Sequence, residues 1–150
     1  MQLQILVVED DADIRELAEL ALTLASDHIV KTASDGVDAI ETLATASFRP
    51  DIILLDVEMP RLNGYETCRM LKADARFSGI PVVFLSAHCS NKLQQKENEL
   101  GASGTISKPF DLHLLVKLVE GFYQDFHLKN SSTFLPATES SFPKALAASV

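Results

Sequence analysis

Short, continuous apolar runs alternate along this chain with longer stretches whose apolar positions recur every three or four residues. "LQILVV" (3–8) has the length and composition of a buried strand, and in "DADIRELAELALTLAS" Ile14, Leu17, Ala18, Ala21, Leu24 and Ala25 fall at helical spacing. "HIVKTA" (28–33) then predicts a weaker strand, "GVDAIETLATA" (36–46) a helix, "DIILL" (51–55) a strand and "GYETCRMLKAD" (64–74) a helix. "PVVFLS" (81–86), the polar "NKLQQKENELG" (91–101), "GTIS" (104–107) and "DLHLLVKLVEGFYQDF" (111–126) complete an alternation of strands and helices.

Strands that are apolar at every position, not every second one, are buried on both faces, which calls for helices on both sides of a parallel sheet. The expected fold class is a doubly wound α/β domain. Ligands in such sheets sit at the carboxyl ends of the strands, where strand order reverses. Glu9, Asp10 and Asp11 follow the first strand, Asp56 the third, Ser86 and Ala87 the fourth, and Lys108 and Pro109 the fifth. From about Lys129 onward, "KNSSTFLPATESSFPKALAASV" loses periodicity and gains Ser, Thr and Pro. The chain is thus expected to divide into a folded domain, 1–128, and a flexible C-terminal tail, 129–150, on which Phe134, Leu135, Phe142 and Leu146 are the groups able to dock.

With 150 residues, 47% of them hydrophobic, the chain can bury one substantial core. A formal net charge of −8 and the lack of any long basic run argue against an electrostatic grip on nucleic acid. No apolar stretch approaches the roughly 18 residues needed to span a bilayer, and "MQLQILVVEDD" offers no basic n-region with a cleavage site, so a cytoplasmic protein without membrane insertion is expected. Cys68 and Cys89 are too few and too far apart for a disulfide framework or a metal-binding pair and read as free thiols.

Glu9, Asp10 and Asp56 gathered at one edge would repel, by on the order of 4 kcal/mol for two charges about 4 Å apart at an effective dielectric near 20. A hard divalent cation relieves this, and oxygen-only ligation suits Mg²⁺. Lys108 supplies a further positive charge and Ser86 a hydroxyl donor. These parts fit phosphoryl transfer onto a carboxylate, with Asp56 attacking phosphorus while Mg²⁺, Lys108 and Ser86 share the charge on the equatorial oxygens. Singly, each group has a plainer reading: Glu9 to Asp11 as cap and first-turn acids of the first helix, Ser86 as a turn residue, Lys108 as a solvated strand-end charge. Complementary chemistry at four separate strand ends favours the joint reading.

The motifs "ILVVEDD", "PDIILLDVEMPRLNGYE", "IPVVFLSA" and "GASGTISKPF", in this order and spacing, resemble the CheY-like receiver domain of bacterial two-component response regulators, over about residues 3–126. The resemblance implies a flavodoxin-like (βα)5 fold with strand order 2-1-3-4-5, and phosphorylation of Asp56 by a sensor histidine kinase or His-phosphotransfer protein. It further implies Mg²⁺ held by Asp10, Asp56 and the backbone carbonyl of Glu58, with Glu9 assisting. Ser86 becomes the switch hydroxyl, Ala87 keeps space open above the acceptor, Lys108 is the ion-pair partner, and Lys108-Pro109 is expected to be cis. Pro60 and Gly64 would shape the loop after the acceptor. Glu58 and His88 occupy the positions that tune acyl-phosphate lifetime, and Ile14, Arg15, Pro109 and Phe110 fall where a kinase or phosphotransfer protein docks.

Two departures stand out. Thr105 takes the place of the aromatic ring whose burial accompanies movement of the switch hydroxyl, so signalling through the fourth helix, fifth strand and fifth helix is expected to be altered and smaller. Ser103 and Gly104 follow Ala102 where winged-helix regulators carry two acids of an intermolecular lattice, so that dimer is not expected. The sequence therefore predicts a stand-alone receiver with self-phosphorylation and self-dephosphorylation chemistry only, acting on a downstream protein that it does not name. A receiver fragment of a larger signalling protein, a HAD-like phosphohydrolase with Glu58 as general acid, and a phosphorylation-independent binding module are the alternatives.

Overall fold

The computed structural model of the chain describes residues 1–45 and 47–139, with side chains up to 131. Five strands alternate with five helices: β1 (Gln4–Val8), α1 (Ala12–Ser26), β2 (Ile29–Ala33), α2 (Gly36–Ala44), β3 (Ile52–Asp56), α3 (Gly64–Ala73), β4 (Val82–Ser86), α4 (Asn91–Glu99), β5 (Gly104–Ser107) and α5 (Leu112–Glu139). All strand pairs are parallel, in the order β2-β1-β3-β4-β5 expected from the sequence. Every residue of β3 and β4 is buried, whereas the edge strands β2 and β5 are only partly so.

Alternate side chains of the central strands feed two cores. Ile5, Val7, Ile52, Leu54, Val83 and Leu85 pack with Ala18 and Leu22 of α1 and Leu115 and Val119 of α5. Leu6, Val8, Ile53, Leu55, Val82 and Phe84 pack on the other face with Ala39 and Leu43 of α2 and Cys68 and Leu71 of α3. The period of two along each strand thus places both sets under helices, which explains the unbroken apolar runs. At the edge, a Cβ on Gly104 would stand 2.2 Å from the ring of Phe122, so the missing side chain admits the α5 aromatic.

Side chains set the helix starts. Asp11 caps α1 by accepting from the N–H groups of Asp13 and Ile14, and Asn63 and Glu66 form a reciprocal capping box on α3. At the far end of the sheet, His28 Nδ1 accepts from the N–H of Leu3, so Nε2 is the ring atom that donates to Glu120 of α5, 2.8 Å away. Cys68, buried, and Cys89, exposed, are free thiols.

One boundary departs from the sequence expectation. Helix α5 runs on to Glu139, into the segment read as aperiodic tail. Once a helix is nucleated, each further non-proline residue adds one hydrogen bond, so Asn130, Ser131, Ser132 and Thr133 can be carried along despite poor intrinsic propensity, whereas Pro136 has no N–H to contribute. Residues 140–150, with Phe142 and Leu146, and the side chains of Phe134 and Leu135 lie outside what is described. Among the described residues, no helix is long and apolar enough to cross a membrane.

Candidate functional site: an acidic cleft with one lysine

In the order β2-β1-β3 the chain leaves β1 in one direction and β3 in the other, opening a crevice at their carboxyl ends. Asp56 closes β3 there, with 4% of its surface exposed, and Glu9, directly after β1, is 1% exposed. Asp10 is exposed at the rim, and carboxylate oxygens of Glu9, Asp10 and Asp56 lie within 4.8 Å of one another. The cleft, about 210 Å³, is lined by these three acids with Asp11, Ile14, Val57, Glu58, Ala87 and Lys108.

Lys108 reaches in from the loop after β5. Its Nζ donates to Asp56 Oδ1 at 3.0 Å and forms an ion pair with Glu9 Oε1 at 2.7 Å. The Lys108 backbone N–H donates to the carbonyl of Ser86 at 2.8 Å, and the Lys108-Pro109 peptide is cis, as expected. Glu9 Oε2 accepts from the N–H of Asp11 at 3.2 Å, while Arg15 Nη1 donates to the Glu9 carbonyl at 2.7 Å. Arg15 therefore braces the acidic turn from below, a role its sequence position did not reveal.

Burial pushes the Asp56 carboxyl up to about 7, helped by the neighbouring Asp10 and Glu9 and opposed by Lys108. Burial alone would lower Lys108, but its contacts with Glu9 and Asp56 outweigh this and hold it above its ordinary value. One ammonium against three carboxylates leaves the cluster negative. The buried Glu9 Oε1 has the Lys108 ammonium as its partner, 2.7 Å away. With no imidazole or thiolate in the cluster, this donor set fits a hard cation such as Mg²⁺.

The remaining sequence-predicted groups surround this centre. Ser86, 4% exposed, does not line the cleft; its hydroxyl donates to the His88 carbonyl at 2.7 Å and accepts from the His88 N–H at 3.1 Å. His88 Nε2 and Glu58 Oε2 face each other at 3.9 Å, both well exposed. Ile14 lines the cleft, and Phe110 packs partly buried against the α1/α5 core. Thr105 donates its hydroxyl to Glu97 Oε1, and Tyr65 donates to Glu97 Oε2 at 2.8 Å. Glu97 is the buried residue of α4, and a mostly polar helix gave no sign of which acid would turn inward.

The comparisons with known proteins agree with this geometry. The family described as "Response regulator receiver domain" matches residues 5–120. Response regulator MprA of Mycobacterium ulcerans is 39% identical over 116 residues, 77% of this chain and 48% of that protein, so the chain spans about half its length. Protein PilG of Pseudomonas aeruginosa is 32% identical over 124 residues, 83% of this chain and 90% of that protein. Among solved structures, chemotaxis protein CheY4 of Vibrio cholerae superposes with a TM-score of 0.74 at 29% identity, covering 81% of this chain and 99% of that one. The phosphorylated cyanobacterial phytochrome response regulator RcpA gives 0.71 at 30%, covering 84% and 94%. With the strand order, the acidic crevice and the lysine opposite it, these matches place the chain in the receiver domain family of two-component response regulators.

Proposed function

We propose that Asp56 accepts a phosphoryl group from a sensor histidine kinase or His-phosphotransfer protein in a Mg²⁺-dependent reaction, and that the modified domain signals through changed binding to a downstream protein. The observation that carries this reading is a buried Asp56 carboxylate at the cleft floor, 3.0 Å from Lys108 Nζ and ringed by the oxygens of Glu9 and Asp10. Asp10, Asp56 and the Glu58 carbonyl would hold the cation, with Glu9 assisting. When bound it supplies charge neutralisation for the incoming phosphoryl oxygens.

Lys108 orients the Asp56 carboxylate and offers its ammonium to the transferred group. Ala87, at the cleft wall, leaves room above the acceptor. The modification adds charge and acceptor oxygens, giving Ser86 a reason to exchange its bonds with His88 for one to the phosphoryl group. Glu58 and His88 flank the opening through which hydrolytic water reaches the acyl phosphate, and so set its lifetime. Chemistry is limited to self-phosphorylation and self-dephosphorylation, with no turnover of phosphate monoesters.

Incubation with a small acyl phosphate, with and without Mg²⁺, tests this. Intact mass should show one phosphoryl adduct that requires Mg²⁺ and disappears in Asp56→Asn. A folded protein that gains no adduct under these conditions overturns the reading.

A further inference from the structure

The loop between β3 and α3, residues 57–63, carries Glu58 to the cleft, and hydrogen bonds fix its course at three places. The N–H of Gly64 donates to the carbonyl of Val57 at 2.8 Å, closing the loop at its base, and the N–H of Leu62 donates to the carbonyl of Pro60 at 2.8 Å. At the turn between these bonds, Arg61 holds φ at 66°, in the left-handed region that a residue with a Cβ enters only at a cost. Its guanidinium forks onto Asp35, with Nε 2.7 Å from Oδ2 and Nη2 2.9 Å from Oδ1.

Asp35 is a firm anchor. It is 5% exposed and caps α2 by accepting from the N–H of Asp38 at 2.8 Å. Next to it, a Cβ on Gly36 would come within 2.8 Å of the Leu62 carbonyl oxygen and 2.0 Å of Thr67 Oγ1, so the first turn of α2 lies directly against the loop. Arg61 itself is more than half exposed, and an exposed ion pair ordinarily contributes little. Here the partner is buried and the contact bidentate, which fixes direction as well as distance.

We propose that Arg61, held by Asp35, is a positioning residue: it sets the path of the acceptor loop so that Glu58 presents its backbone carbonyl to the cation in the acidic cleft. The proposal rests on the Mg²⁺-dependent reading of Asp56. It makes the α2 N-terminus, which contributes no group to the cleft, part of the apparatus that fixes cation affinity.

Two variants separate this role from general stability. Arg61→Gly removes the fork while giving the backbone a residue that adopts φ of 66° freely, so folding is maintained. Asp35→Asn keeps a good helix cap and removes the charge. Mg²⁺ titration, followed by the amide signals of Asp10, Val57 and Glu58, should show affinity about tenfold weaker in both variants at near-unchanged melting temperature. In Mg²⁺-free protein, amide exchange at Met59 and Leu62 should accelerate in both. Phosphorylation by a small acyl phosphate should slow at limiting Mg²⁺ and recover at saturating Mg²⁺. Unchanged Mg²⁺ affinity in both variants, beside a wild-type chain that binds Mg²⁺ and is modified, overturns the positioning role alone. A wild-type chain that does neither overturns the reading of Asp56 and this proposal with it.

Discussion

Asp56 works against its surroundings. Below the ordinary carboxyl value of 3.8, folded and unfolded chains both keep its proton; between 3.8 and about 7 only the folded chain does, so stability falls as pH rises, and above about 7 the loss is complete. Asp56→Asn removes this burden. Without Mg²⁺, thermal and urea unfolding should find the variant more stable than wild type by on the order of 2 kcal/mol at pH 8, and by less at pH 5. Added Mg²⁺ should stabilise wild type much more than the variant. At this scale the sequence was informative about Glu9, Asp10, Asp56 and Lys108, because each lies at the carboxyl end of a strand and those ends converge in a parallel sheet. It was silent on where the Ser86 hydroxyl points and on the bracing by Arg15, since both depend on side-chain rotamers that no spacing encodes.

At the scale of elements, α4 shows how a helix with almost no apolar face stays on the sheet. Glu97 turns inward and accepts hydroxyls from Tyr65 of α3 and Thr105 of β5, while the Tyr65 ring packs edge-on against Phe84 at 5.1 Å. Burial and then the Glu97 bond hold the Tyr65 hydroxyl above its ordinary value, keeping it a donor. Thr105 therefore does more than lack an aromatic ring: it ties β5 to α4 through a carboxylate. Thr105→Val withdraws one donor and leaves Glu97 Oε1 buried without a replacement, at an expected cost of about 1–3 kcal/mol in urea unfolding. Thr105 drew notice because it departs from a pattern, but Glu97 did not, because in nine mostly polar positions it looks no different from Glu99. The continuation of α5 past Lys129 was hidden for a related reason: helix propagation from a packed segment outweighs the weak local preferences that a sequence window reads.

For the whole molecule, the two-sided core was legible from a single property, central strands apolar at consecutive positions, whereas the strand order was legible only through the resemblance to receiver domains; the structure realises the core by sending alternate residues to opposite helix layers. The shared direction of the strands puts every reacting group at the carboxyl end of the sheet and leaves the amino end to turns. Gly79, in the turn entering β4, has open space where a side chain would project, and Lys72 Nζ pins both sides of that turn through the carbonyls of Ser78 and Ile80. The turn is thus a natural splice point: a small fluorescent reporter inserted at Gly79 should be carried without altering Mg²⁺-dependent adduct formation at Asp56, as intact mass would show. A parallel sheet gives the molecule a front that does chemistry and a back that can carry cargo.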